Sequence, residues 1–151
     1  MKAILFAPLA FALFFGTAPA MCAAAAVKAA APAAAQEKVV YHINDSANAM
    51  MALRNVDNHL SASSDVHIVV VTHGKGIDFL LNGAQDSSGK PYKPLVQALK
   101  GKGVDFRVCN NTLKSRQLDA SAVIPEATIV PSGVAEIGRL QAKEGYVYLK
   151  P

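Results

Sequence analysis

Between Lys38 and Leu149 the apolar residues alternate between two rhythms. Lys38 to Ile43 (KVVYHI) is β-rich and stops at Asn44-Asp45; from Ser46 onward Ala49, Ala52, Leu53, Val56 and Leu60 recur at helical spacing. A strand followed by a helix is expected. Val66 to Thr72 (VHIVVVT) is a nearly continuous β-branched run, the pattern of a strand covered on both faces in a parallel sheet, and it ends at His73-Gly74. Ile77 to Leu81 reads as a short helix and Asn82 to Pro91 as a polar loop. Tyr92 to Lys100 reads as a helix with Leu95, Val96 and Leu99 inward, stopped by Gly101 and Gly103. Val104 to Cys109 (VDFRVC) is a third strand, followed by a helix from Thr112 to Leu118. Ala127 to Val130 between Pro125 and Pro131 is a fourth strand. Gly133 to Lys143 is a helix with Val134, Ile137 and Leu140 on one face, and Tyr146 to Leu149 is a fifth strand. Strands alternating with helices at this spacing predict an α/β fold: a three-layer α/β/α sandwich around a mainly parallel five-stranded sheet.

The first part of the chain has a different texture. Met1-Lys2 is a short positive start, Ala3 to Phe15 an apolar run, and Ala18-Pro19-Ala20 a small-x-small site, together the pattern of a secretory signal over residues 1–20. Pro8, Gly16 and Pro19 make a poor spanning helix, so no stable membrane insertion is expected once the signal is cleaved. Met21 and Pro19 before Cys22 do not suit a lipidation site. Residues 21–36 are rich in Ala with Pro32 and one Lys, a composition that buries little and reads as a tether; cleavage as late as Ala35 would remove Cys22 with the leader. The domain is expected over 37–151 of the 151 residues, in the periplasm or outside the cell.

Charge narrows the function classes. The chain carries a formal +4, but of its 15 basic residues Lys2 and Lys28 precede the domain, leaving 13 against 11 acidic. The basic residues are scattered, among them Lys75, Lys90, Lys93, Lys100, Lys102, Arg107, Lys114 and Arg116, without interleaved aromatics, which argues against nucleic-acid binding. Gly74 and Gly76 are too sparse for a phosphate loop, and no dinucleotide fingerprint follows the first strand, where the chain has Asn44-Asp45-Ser46. Asp78 and Glu126 are isolated, so a paired-carboxylate hydrolase has no support. No two histidines have the i, i+4 spacing of a helical zinc site, and Cys109 with His73 falls short of three or four ligands, so no metal or cofactor is expected. His42 inside a strand and His67 at the start of one read as structural, and His59 as a helix-surface residue.

What remains is a single domain thiol. Ligands gather beyond the carboxyl ends of parallel strands, and the polar residues predicted there are Asn44, Asp45, Thr72, His73, Gly74, Lys75, Cys109, Asn110, Asn111 and Ser132. Cys109 ends a strand and precedes a helix, a place where amide groups can stabilise the thiolate that attacks sulfur. His73 could serve as a base beside it. The alternatives are a buried structural cysteine and a loop histidine bonded to backbone.

The string Phe106-Arg107-Val108-Cys109-Asn110-Asn111-Thr112 with Arg116, the opening KVVYHINDS, the stretch VVVTHGKGIDFLL and the ending VPSGVAEIGRLQAKEGYVYLKP resemble the DsrE/DsrF-like family from about Val39 to Pro151. The resemblance implies a small α/β sandwich, assembly into trimers or hexamers, and sulfane sulfur carried as a persulfide on the residue matching Cys109. It implies sulfur-donor and sulfur-acceptor proteins as partners. The export signal is a departure, because the well-understood relays of the family are cytoplasmic. A carrier, with His73 and the Asn110-Asn111 turn assisting, is therefore weighed against a non-catalytic oligomeric module in which Cys109 is structural.

Overall fold

The computed structural model describes residues 36–151. The expected signal segment, most of the tether and Cys22 lie outside the described residues. Five strands form one sheet: β1 (Lys38–Ile43), β2 (His67–Thr72), β3 (Asp105–Cys109), β4 (Ala127–Val130) and β5 (Val147–Leu149). Their order is β4-β3-β2-β1-β5, and every pairing is parallel, so the sheet is wholly rather than mainly parallel. Four helices connect them: α1 (Ala49–Ala62), α2 (Lys93–Gly101), α3 (Asn110–Ser115) and α4 (Gly133–Glu144). Among the described residues no helix is long and apolar enough to cross a membrane.

Alternation along the strands divides the core in two. Val39, Tyr41 and Ile43 of β1, Ile68 and Val70 of β2, and Phe106 and Val108 of β3 pack with Leu53 and Val56 of α1, Val96 and Leu99 of α2, and Leu113 of α3. On the opposite face Val40, Val69 and Val71 meet Ile137 and Leu140 of α4, with Tyr146. These are the three expected layers. The second face is thinly covered. Two fully buried aliphatic side chains contribute about 1.5–3 kcal/mol each, and α4 is further held by Glu136, which pairs with Arg107 of β3 and with Arg139. The Arg139 hydrogen bond holds the Glu136 carboxyl below its ordinary value, burial opposes it, and Arg107 adds to the lowering.

Several boundaries differ from the sequence reading. The segment after β2 is a 3-10 helix over Gly74–Leu80, not a helix beginning at Ile77. α3 begins at Asn110 rather than Thr112, because Cys109 is itself the extended residue that caps it; Asn110 and Asn111 are the first helical residues, not a turn. Val134 is 64% exposed, and the buried face of α4 runs through Gly133, Ile137 and Leu140 instead. Leu95 is only half-buried. His59 is not a free surface residue: its Nδ1 meets the Tyr41 hydroxyl at 3.0 Å and its Nε2 meets Glu37 at 2.9 Å.

Gly76 fixes the approach of the 3-10 helix to β1. A Cβ there would lie 2.0 Å from the Ile43 carbonyl oxygen, so only glycine fits.

Candidate functional site

The chain marches β1, β2, β3, β4 across the sheet, and the layer packed against the Phe106 and Val108 face includes α3, which follows β3. α4, which follows β4, crosses back over the other face to reach β5. Helices leaving neighbouring strands on opposite faces open a crevice at the strand carboxyl ends, the usual place for a site in such a sheet. Cys109 is the last residue of β3, and Ser132 and Gly133 start α4. The thiol therefore stands where the starts of α3 and α4 converge.

The convergence is visible at the sulfur. Cys109 is 5% exposed, and burial alone pushes its thiol up. The polar neighbours of the sulfur, the Gly133 amide first, then the hydroxyl and amide of Thr112 and the amide of Asn111, outweigh burial and hold the thiol below its ordinary value. The Thr112 hydroxyl is itself held in place, since the Gly74 amide donates to its oxygen at 3.0 Å. Gly74 reaches this position with φ +56, in the left-handed region. A Cβ on Gly133 would sit 3.2 Å from the Cys109 Cβ and 3.3 Å from the His73 Cβ, so cysteine and histidine flank one glycine.

His73 is not isolated. Its Nε2 lies 2.7 Å from His42 Nε2, and His42 Nδ1 lies 2.7 Å from the Tyr148 hydroxyl of β5. Burial, His73 and Lys150 lower the His42 imidazole to about 4, so it is neutral at pH 7. The line from Tyr148 through His42 ends on His73, whose Cβ, like that of Cys109, lies against Gly133.

The other expected site residues take different places. Thr72 is buried and donates to the Arg107 carbonyl at 3.2 Å. Asp45 caps the 3-10 turn Ser46–Asn48 by accepting from the Ala47 amide. Ser132 caps α4, accepting from the Ala135 amide at 3.4 Å. Asn44 and Asp45 line a small cleft with His42, Asn48 and Pro151. Lys75 is exposed, Asn110 half-buried, and Asn111 contributes its amide rather than its side chain. Among the described residues no group of three or more His, Cys, Asp or Glu side chains is placed to hold a metal ion. Four contributors escaped the sequence reading: Thr112, Gly133, His42 and Tyr148. The one sequence signal for His42 was its phase with Val40, two positions earlier and on the α4 face.

The sequence matches the DsrE/DsrF-like family over residues 21–151. The chain belongs to this family. A protein of unknown function from Methanobacterium thermoautotrophicum, MTH1491, is 32% identical; the match covers 76% of this chain and 99% of that one, with a TM-score of 0.67. The ychN protein from E. coli matches over 76% of this chain and 99% of its own at a TM-score of 0.64; at 14% identity this is a likeness of fold. No curated protein matches the chain. The DsrE/DsrF-like family is associated in general with sulfur relay.

Proposed function

We propose that this DsrE/DsrF-like protein is a sulfur carrier that holds sulfane sulfur as a persulfide on Cys109 and hands it to an acceptor thiol. The observation that carries this reading is the place of Cys109, the last residue of β3, against Gly133 at the start of α4 and among amides that hold its thiol below its ordinary value. Such a site favours the thiolate, which is the nucleophile and the leaving group of sulfur transfer. With thiosulfate as donor, the thiolate forms a bond to the sulfane sulfur, the donor S–S bond breaks, and sulfite leaves with the electron pair. No external oxidant is required.

The carrier works outside the cytoplasm as a homotrimer or homohexamer, with protein donors and acceptors of sulfur. The leader-like residues 1–20 support export, and the family resemblance supports the oligomer and the partners. Lys75, exposed beside the loop that carries His73, is a docking contact for the acceptor. Intact-mass spectrometry of the mature protein before and after polysulfide, and again after a reductant, tests the reading. A reductant-reversible gain of sulfur mapped to Cys109 is expected; an inert Cys109 would overturn it. The same masses locate the cleavage site and the fate of Cys22.

A second reading is favoured by one observation, the 5% exposure of Cys109: a non-catalytic assembly module in which the cysteine is packing. Under it, Cys109→Ser would alter the oligomer; under the carrier reading it removes sulfur loading and leaves fold and assembly intact.

A further inference from the structure

We propose that Tyr148, His42 and His73 form a reversible proton wire that serves the sulfur on Cys109, with His42 and Tyr148 acting through His73 as positioning residues. The inference rests on the carrier reading and extends it to how protons reach the site.

A neutral imidazole has one N–H and one bare nitrogen. His42 makes close polar contacts through both nitrogens, 2.7 Å to Tyr148 and 2.7 Å to His73. It must donate on one side and accept on the other, so the wire has a direction. In one polarity the Tyr148 hydroxyl donates to His42 Nδ1 and His42 Nε2–H donates to His73 Nε2; a neutral His73 then carries its proton on Nδ1. In the other polarity His73 donates to His42, His42 donates to Tyr148, and His73 Nδ1 is bare. Switching between them changes His73 Nδ1 from a proton donor to a proton acceptor without placing net charge under α4.

Tyr148 is 37% exposed on the edge strand β5, so its hydroxyl can exchange with water. At the inner end, the Cβ atoms of Cys109 and His73 lie 3.2 and 3.3 Å from where a Cβ on Gly133 would be, so the two side chains start from neighbouring points. The low basicity of His42 fits this role, because a charged His42 would have two donors and break the wire.

Discharge of the carrier shows why both polarities are needed. An acceptor thiol R–SH passes its proton to bare His73 Nδ1, and R–S⁻ attacks the terminal sulfur of the Cys109 persulfide. The R–S to sulfur bond forms, the bond to Cys109 Sγ breaks, and the electron pair returns to Sγ. The wire supplies one proton to the transferred sulfur, giving R–S–SH and the Cys109 thiolate. Loading from a persulfide donor runs the same steps backwards.

The test uses the full mature protein, loaded with polysulfide and discharged to free cysteine in H₂O and D₂O, for wild type, Tyr148→Phe and His42→Gln. General acid–base assistance typically contributes roughly 10²–10⁴-fold, so His42→Gln is expected to discharge at least about tenfold more slowly. Tyr148→Phe is expected to shrink the solvent isotope effect while the melting temperature stays put. Folded variants that load, discharge at the wild-type rate and keep the wild-type isotope effect would overturn the wire. Ring ¹⁵N NMR of the unloaded protein reads the wire without sulfur chemistry, so its failure is distinguishable from failure of the carrier reading. One N–H on His42 at pH 7, with tautomer signals of both histidines shifting in Tyr148→Phe, supports it. A doubly protonated His42, or rings indifferent to that substitution, would sink it.

Discussion

Thr112→Val tests the thiolate cradle, because valine keeps the shape of threonine and removes only the hydroxyl. Two interactions are lost. The Cys109 thiolate loses the Thr112 hydroxyl that helps to lower its pKa, and the Gly74 amide loses the acceptor it meets at 3.0 Å. A hydrogen bond to a charged group contributes about 1.5–3 kcal/mol, and about 1.4 kcal/mol is a tenfold change in an equilibrium. At a fixed pH below the thiol midpoint, the thiolate fraction and the initial alkylation rate by iodoacetamide should therefore fall by about tenfold or more. The midpoint of the rate against pH should move up. Thr112→Ser, which keeps the hydroxyl, should stay near wild type and so separates this effect from packing. The linkage has a definite sign: the folded thiol lies below its unfolded value, so the stability the cradle contributes is lost as pH falls through the folded midpoint. The stability gap between wild type and Cys109→Ala should accordingly widen as pH rises toward the unfolded thiol value, and widen less in the Thr112→Val background. If Thr112→Val folds and its alkylation profile overlays that of wild type, the hydroxyl does not stabilise the thiolate.

His42→Gln should flatten the acid limb of stability. His42 is lowered to about 4 from 6.5, so wild type loses stability as pH falls from about 6.5 toward 4, by about 1–2 kcal/mol after allowance for screening at a partly exposed ring; chemical denaturation at pH 7 and pH 4.5 reads the difference, and equal losses in both proteins would count against it. Gly133→Ala adds a methyl 3.1 Å from the Thr72 carbonyl and 3.2 Å from the Cys109 Cβ. Its helix-propensity gain of up to about 1 kcal/mol opposes that crowding, so the melting temperature should change little while Cys109 alkylation slows, and an unchanged alkylation rate would show that the tight contact at Gly133 does not control the sulfur. Gly76→Ala has no such compensation, since the Cβ meets backbone at 2.0 Å. A loss of about 4 kcal/mol or more is expected, seen as a lack of soluble protein or a collapsed denaturation midpoint, and a variant with near wild-type stability would refute the packing of the 3-10 helix on β1.

The layers of this fold were legible because periodicity decides them. KVVYHI alternates sides with nothing to contradict it, and β1 spans the same six residues in the structure. The misjudged elements are those where two local signals conflict. Asn110-Asn111 has the composition of a turn, yet the chain enters α3 directly from β3, and the amides of that first helical turn then face the sulfur. Val134 has the hydrophobicity of a core residue, but Gly133 occupies the tight contact with Cys109 and His73, which rotates Val134 outward. Cys109 and His73 could be singled out because each stands at the carboxyl end of a strand that the sequence pattern predicts. His42 and Tyr148 could not, because their meeting depends on β5 pairing with β1 rather than with β4, a register that local pattern does not encode.

That same topological choice explains why the thiol is stabilised at all. Had β5 been added beside β4, α4 would have had no reason to cross the sheet, and its first turn would not reach the end of β3. Because β5 lies at the far edge, α4 must begin at β4 and travel over β3, β2 and β1, which presses Gly133 against Cys109. The crossing leaves the β1 edge of this face to His42 and Tyr148, where an aliphatic pair would have served packing better. Polar residues in that place carry a desolvation cost, offset only while each finds a hydrogen-bonding partner. His42 finds two. A fold that needed only stability had no use for that arrangement, whereas a sulfur that must alternate between thiolate and persulfide needs a route for protons that does not leave charge behind.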